Sequence, residues 1–324
     1  MTQVTVLRAG FLTTVQDLGR TGFRQFGVSL GGALDLCALR VANFLAGNEE
    51  SAAGLEITFG GFQLRFTDER IVAWCGGEFD VRVGSTSLPA GHAALVRAGQ
   101  EVKFDHPQTG CRCWLAVSGG IDVPLVLESR STDLRASFGG FEGRALRDGD
   151  AIRLGARPGS PIPATIEISP WSAPKPWSQT ASANPVLQVI RGADWGRFND
   201  VTIQRFTNEA FAVSPDSDRM GVRLAGPELR PTDDAELVSE AVAPGTIQVP
   251  PSGQPILLLG DCQTIGGYPK IAHVITVDLG IAAQLRAGDV VRFSEISLAE
   301  AYRLLLQRER ELERFRIGLS LHDS

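Results

Sequence analysis

Lysine is scarce in this chain of 324 residues. Of 31 basic residues only Lys103, Lys175 and Lys270 are lysines, and the other 28 are arginines. Tyr268 is one of two tyrosines, and Met1 and Met220 are the only methionines. No apolar run approaches the roughly 20 residues that cross a bilayer, so no membrane contact is expected. Met1 to Gly10 lacks a charged segment followed by an apolar one, which places the chain in the cytoplasm. The net charge is −6 and the arginines are scattered, which excludes the basic footprint of a nucleic-acid-binding protein. Five cysteines without C-x-x-C spacing read as reduced thiols. Four histidines at unrelated spacings give no zinc pattern, so no structural metal is predicted. Ser118 lies outside any G-x-S-x-G, which leaves a serine hydrolase unsupported, and no G-x-x-x-x-G-K-[ST] loop is present to hold ATP phosphates.

What remains is globular composition, 43% hydrophobic and 21% charged, at a length that suggests about two domains. Short apolar segments bounded by Gly, Pro, Asp and Asn recur, among them Phe62–Phe66, Ala93–Val96 and Trp114–Val117. Their spacing predicts a mainly β protein, an antiparallel barrel or sandwich. A 3.6-residue stripe of Leu34, Cys37/Ala38, Val41 and Leu45 predicts one helix over 33–46, closed by Gly47. Pro158, Pro161, Pro163, Pro170, Pro174 and Pro176, before Pro185, mark a linker expected to hold neither helix nor central strand. The predicted organisation is a first domain over 1–155, the linker over 156–185, a second domain over 186–297, and a helix and tail over 298–324. That last helix is announced by a capping box, Ser297 with Glu300. The two domains look duplicated. Leu146-Arg-Asp-Gly-Asp-Ala-Ile-Arg-Leu154 matches Leu285-Arg-Ala-Gly-Asp-Val-Val-Arg-Phe293, and Val6-Leu-Arg-Ala-Gly10 matches Val189-Ile-Arg-Gly-Ala193.

One loop gathers the rare residue types: Gly260-Asp-Cys-Gln-Thr-Ile-Gly-Gly-Tyr-Pro-Lys-Ile-Ala-His273. A chain that defaults to arginine places a lysine here, and lysine's compact ammonium serves different sites from arginine's flat fork. Gly266 and Gly267 let a ligand come close to the backbone. The Gln263 amide donates and accepts at once, which suits a partner that is itself an amide. The competing reading is a tight turn with Lys270 in solvent, since turn chemistry alone accounts for Gly and Pro.

Two further constellations invite anions. Gln16, Asp17 and Arg20 sit in Thr14-Val-Gln-Asp-Leu-Gly-Arg20, ahead of a glycine-rich approach to the helix, where free N–H groups attract negative charge. Arg130 lies between hydroxyls in Ser129-Arg-Ser-Thr132 and suits a carboxylate or phosphate. Each reads equally as a turn or a helix cap.

Together with Ala42-Asn-Phe-Leu-Ala-Gly-Asn48, Leu55-Glu-Ile-Thr58, Gly119-Gly-Ile-Asp-Val-Pro124, Ser217-Asp-Arg-Met-Gly221, Ile247-Gln-Val-Pro250 and Gly266-Gly-Tyr-Pro-Lys-Ile-Ala272, these motifs resemble the allophanate hydrolase subunit 2 family. It is also called the biotin-dependent carboxyltransferase family and includes the C subunit of bacterial 5-oxoprolinase. The resemblance implies two cyclophilin-like β-barrel domains with a few helices. It implies a subunit that cleaves 5-oxo-L-proline to L-glutamate with ATP, alongside A- and B-type subunits. Alternatives within the family are a carboxyltransferase component acting on urea or allophanate, and a regulatory binding protein that antagonises a kinase inhibitor.

The shared substrate type is a small amide. Lys270 with the Gly266 and Gly267 amides is then expected to stabilise charge on the amide oxygen, Gln263 to pair with the amide, and Tyr268 to close the pocket or relay a proton. Arg20, Arg130 and Arg219 are equal candidates for a carboxylate or phosphate. ATP is expected on a partner subunit. Biotin is not expected on this chain, because no lysine stands beside a methionine. Three positions depart from the family pattern: Cys262 where a basic residue is usual, Ile265 where a threonine is common, and Glu128 in place of a glycine.

Overall fold

The computed structural model describes residues 2–157, 167–179, 183–233 and 237–322, so Pro158, Pro161 and Pro163 of the expected linker lie outside the described residues. The chain divides into two compact units. Met1–Arg20, Gly31–Ala181 and Glu311–Ser324 form the first, and Thr21–Leu30 with Ser182–Arg310 form the second.

The first unit is built on two sheets. One has six strands in the order Ala151–Arg153, Gln3–Ala9, Phe62–Phe66, Glu101–Phe104, Val81–Val83 and Thr86–Ser87. The other has five, in the order Leu12–Gln16, Gly54–Thr58, Thr109–Val117, Arg70–Glu78 and Ala93–Val96. In Phe62–Phe66 every second side chain points inward, so Phe62, Leu64 and Phe66 are buried while Arg65 faces solvent. Thr109–Val117 and Arg70–Glu78 are buried on both faces because the helix Leu36–Leu45 covers the second one. Asp35 caps that helix by accepting from Ala38 N at 2.9 Å, which starts it later than the apolar stripe predicts.

The second unit closes into a seven-stranded barrel. Around it run Val186–Arg191, Lys270–Val274, Thr246–Gln248, Ile256–Leu258, Gly221–Ala225, Phe211–Val213 and Val290–Glu295. Aromatic rings pack against one another in this unit: Phe206 stacks on Phe293 with centroids 4.7 Å apart, and Trp195 meets Phe206 edge-on.

The suspected duplication is visible in the turns. Arg147 N donates to Asp150 Oδ2 at 2.7 Å and Arg286 N to Asp289 Oδ2 at 3.0 Å, while Gly149 and Gly288 share φ near 90°. The strand openings are not equivalent, however. Gln3–Ala9 runs antiparallel to Ala151–Arg153, whereas Val186–Arg191 runs parallel to Val290–Glu295.

The proline-rich stretch also departs from expectation. Lys175–Ser178 forms a helical turn with Pro174 and Pro176 at its start, where no N–H is required, and Trp177 is buried. The terminal helix Leu298–His322 begins as its capping box predicts, with Glu300 N donating to Ser297 Oγ at 3.1 Å. Leu312 is buried, and Phe315 meets Trp177 edge-on at 5.8 Å. No described helix is long and apolar enough to cross a membrane.

Candidate functional site

Lys270 opens its strand in the barrel and is only 4% exposed, so the solvent-facing reading of this lysine does not hold. Its ammonium lies 3.1 Å from Asp194 Oδ2 and 3.0 Å from Glu240 Oε2. Asp194 follows the strand Val186–Arg191 and is pressed onto the neighbouring strand by backbone bonds. Gly192 N donates to Ile271 O at 2.9 Å, and Asp194 N donates to Lys270 O at 3.1 Å. A side chain at 192 has no room, since a Cβ would stand 2.1 Å from Lys270 O. Glu240 comes from a small ribbon in which Glu240–Ala241 pairs with Ile265–Gly266.

Burial pulls the Lys270 ammonium down, but the hydrogen-bonded carboxylates of Glu240 and Asp194 outweigh it and hold it above the usual lysine range. Lys270 is therefore a standing positive charge and not a proton acceptor near neutral pH. His273, half-buried on the same strand, is pushed below the usual histidine range by burial first and by Lys270 second.

Gln248 is the antiparallel register partner of Lys270, and such partners project to the same face. Its amide is almost fully buried yet weakly engaged. Nε2 donates to Tyr268 O at 3.4 Å, and Oε1 accepts from Gln263 Nε2 at 3.4 Å, both long for hydrogen bonds. Gly266 makes room for that amide, because a Cβ there would stand 2.7 Å from Gln248 Nε2. Gly267 lies against Leu237 and Ser239. The structure thus gathers Lys270, Gln263, Gly266 and the Tyr268 carbonyl around Gln248, while the Tyr268 side chain is 45% exposed.

The arginines are placed otherwise. Arg219 forms a two-pronged pair with Asp261, Nε to Oδ2 at 2.8 Å and Nη2 to Oδ1 at 3.0 Å, so it braces the start of the loop and is not set to receive a substrate. Arg20 is fully buried in the first unit, donating to the carbonyls of Val126 and Ser131 with its guanidinium over the Phe138 ring. Asp17 is a structural hub there. It accepts from Ser129 Oγ at 2.6 Å, Gly19 N at 2.9 Å, Ser131 Oγ and Arg130 N. Gln16 is buried and donates to Thr14 Oγ1 at 3.0 Å, and Arg130 Nε donates to Val123 O at 3.0 Å. These groups tie two loops of the first unit together. None of them lines a groove of about 520 Å³ in that unit, which runs beside Val123, Val126, Phe138 and Phe141.

The carboxylates and amides around the buried lysine belong to a segment of known kinship. The profile described as "Carboxyltransferase domain, subdomain A and B" matches residues 26–295. The chain belongs to the carboxyltransferase-domain family. Within it, the C subunit of Escherichia coli 5-oxoprolinase is 40% identical over 95% of this chain and 96% of its own length. That of Haemophilus influenzae is 37% identical over 94% of each. Among solved carboxyltransferase-family structures, the Kluyveromyces lactis urea amidolyase superposes with a TM-score of 0.89 at 29% identity, covering 97% of this chain but 20% of that one.

Asp194, Glu240 and Gln248 were not anticipated as site residues. Gln248 stands inside one of the family motifs and Asp194 directly after a repeated segment, but Glu240 carries no sequence signal. Only the pairing of its ribbon reveals it.

Proposed function

We propose that this chain is the C subunit of an ATP-dependent 5-oxoprolinase, opening 5-oxo-L-proline to L-glutamate together with A- and B-type subunits. The observation that carries this reading is the end-to-end 40% identity with the C subunit of the E. coli 5-oxoprolinase. Opening a cyclic amide places negative charge on the carbonyl oxygen as the nucleophile adds, and fixed positive charge in a sheltered site is the main means of stabilising it. Lys270 supplies that charge. Gln248 and Gln263 offer paired donors and acceptors to the ring amide, and Tyr268 stands at the rim.

ATP chemistry is assigned to the partner subunits. A triphosphate needs several cations or a run of loop N–H groups, whereas this site offers a single ammonium, flanked by carboxylates, and Arg219 is held by Asp261. The residues here do not fit that group.

The urea amidolyase superposition favours a second reading, a carboxyltransferase component for urea. Co-expression with candidate partners separates the two. Glutamate released from 5-oxo-L-proline only when ATP and all subunits are present supports the first; carboxylation of urea with a biotinylated partner moves the assignment to the second.

A further inference from the structure

We infer that Glu240 is a displaceable counter-ion, whose carboxylate holds the place on Lys270 that an anionic oxygen of the substrate takes. This deepens the reading above and rests on it for the identity of the substrate, a small amide bearing or developing negative charge.

The two carboxylates on Lys270 are not equivalent. Asp194 has a side chain only 14% exposed and is anchored twice, through Lys270 N at 2.9 Å and Nζ at 3.1 Å. Glu240 is 64% exposed at its side chain and touches the ammonium once, at 3.0 Å. Water solvates the exposed Glu240 carboxylate as it swings away, while Asp194 keeps a partner on the buried ammonium, so this contact is the cheaper of the two to break. The ribbon that carries Glu240 is held by two residue pairs, Glu240 with Gly266 and Ala241 with Ile265.

Charge gives the reason for displacement. One ammonium between two carboxylates leaves the cluster at a net charge of about −1, which opposes negative charge on a bound oxygen. With Glu240 turned away the cluster is neutral, and one side of the ammonium faces the incoming group.

The chain has only three lysines, so labelling lysine with ¹³C at Cε gives each one its own signal. The full chain, wild type and Glu240→Gln, is titrated with acetate and separately with 2-pyrrolidinone, which carries the ring amide without a carboxylate. The expected result is that Glu240→Gln binds acetate at Lys270 about twofold to fivefold more tightly than wild type, while Lys103 and Lys175 respond alike in both proteins. A gain for acetate alone identifies a carboxylate as the displacing group, and a gain for both identifies the amide oxygen as well. Glu240→Asp, which keeps the charge on a shorter arm, is expected to fall between the two proteins. Equal acetate affinity in wild type and Glu240→Gln, or no response of Lys270 in either, overturns the inference. The titration needs neither partner subunits nor turnover, so its failure leaves the subunit assignment untouched. Loss of that assignment, in turn, leaves the titration readable.

Discussion

A single oxygen of Asp194 accepts from Lys270 twice, Oδ2 lying 2.9 Å from the main-chain nitrogen and 3.1 Å from Nζ. The contact fixes both ends of the lysine, its backbone in the barrel and its ammonium in the site. Asp194→Ala is expected to destabilise the protein by about 2 kcal/mol, because a nearly buried N–H and a charge lose their acceptor together. The urea midpoint measures this. The pH dependence has a definite sign. Since the folded-state value of Lys270 is raised, its contribution is fully present below the ordinary lysine value of 10.5 and is lost as pH climbs above it through the folded-state value. Asp194→Ala should shrink that alkaline loss.

Gly266 separates binding chemistry from fold. The Cβ of Gly266→Ala would meet the end of a flexible side chain, Gln248 Nε2, so the amide swings aside at a stability cost of about 1 kcal/mol or less. On the proposed function, glutamate release by the assembled complex is expected to fall about tenfold or more, because the Gln248 amide proposed to meet the substrate is displaced. Parallel melting and glutamate-release measurements check both halves.

The hub in the first unit should behave in the opposite way. Asp17→Ala strips Ser129, Ser131, Gly19 N and Arg130 N of one shared acceptor and is expected to cost about 3 kcal/mol. Lys270 should not respond, and its ¹³C shift reads that directly.

At the tip of the neighbouring hairpin, Leu127 and Glu128 hold φ of 52° and 61° between Val126 and Ser129, which exchange backbone hydrogen bonds. Such a turn favours glycine at its second central position. Glu128→Gly is therefore expected to stabilise the protein by about 1 kcal/mol, seen as a raised urea midpoint with an unchanged slope.

Asp278 offers a second test of sign. Burial raises its carboxyl above the usual range although it accepts from Gln188 N at 2.7 Å. A raised folded-state value means that stability declines as pH rises through it from the ordinary aspartate value of 3.8. Asp278→Asn should therefore be the more stable protein at pH 7, with the difference narrowing on acidification. A constant difference across that range would contradict the assignment.

Much of this was legible in residue order. Flanking glycine and aspartate made the apolar Phe62–Phe66 a strand, and Ser297 and Glu300 announced the terminal helix. The rare lysine drew attention to a buried cation. Its carboxylate partners were not legible, because Asp194 and Glu240 lie 76 and 30 residues away and only strand pairing brings them to it. For the same reason Arg20 and Arg219 looked like anion binders. A guanidinium that braces a loop and one that receives a ligand have the same sequence, and only Asp261 and the Val126 and Ser131 carbonyls reveal which role is filled.

The central claim is that the Lys270 charge stabilises the amide oxygen during ring opening. Glutamate release at saturating ATP and 5-oxo-L-proline, by the complex assembled with Lys270→Met, tests it most directly. The account predicts that kcat falls by about a hundredfold or more while the complex still assembles at the wild-type size. A correctly assembled Lys270→Met complex that turns over within about twofold of wild type would contradict it.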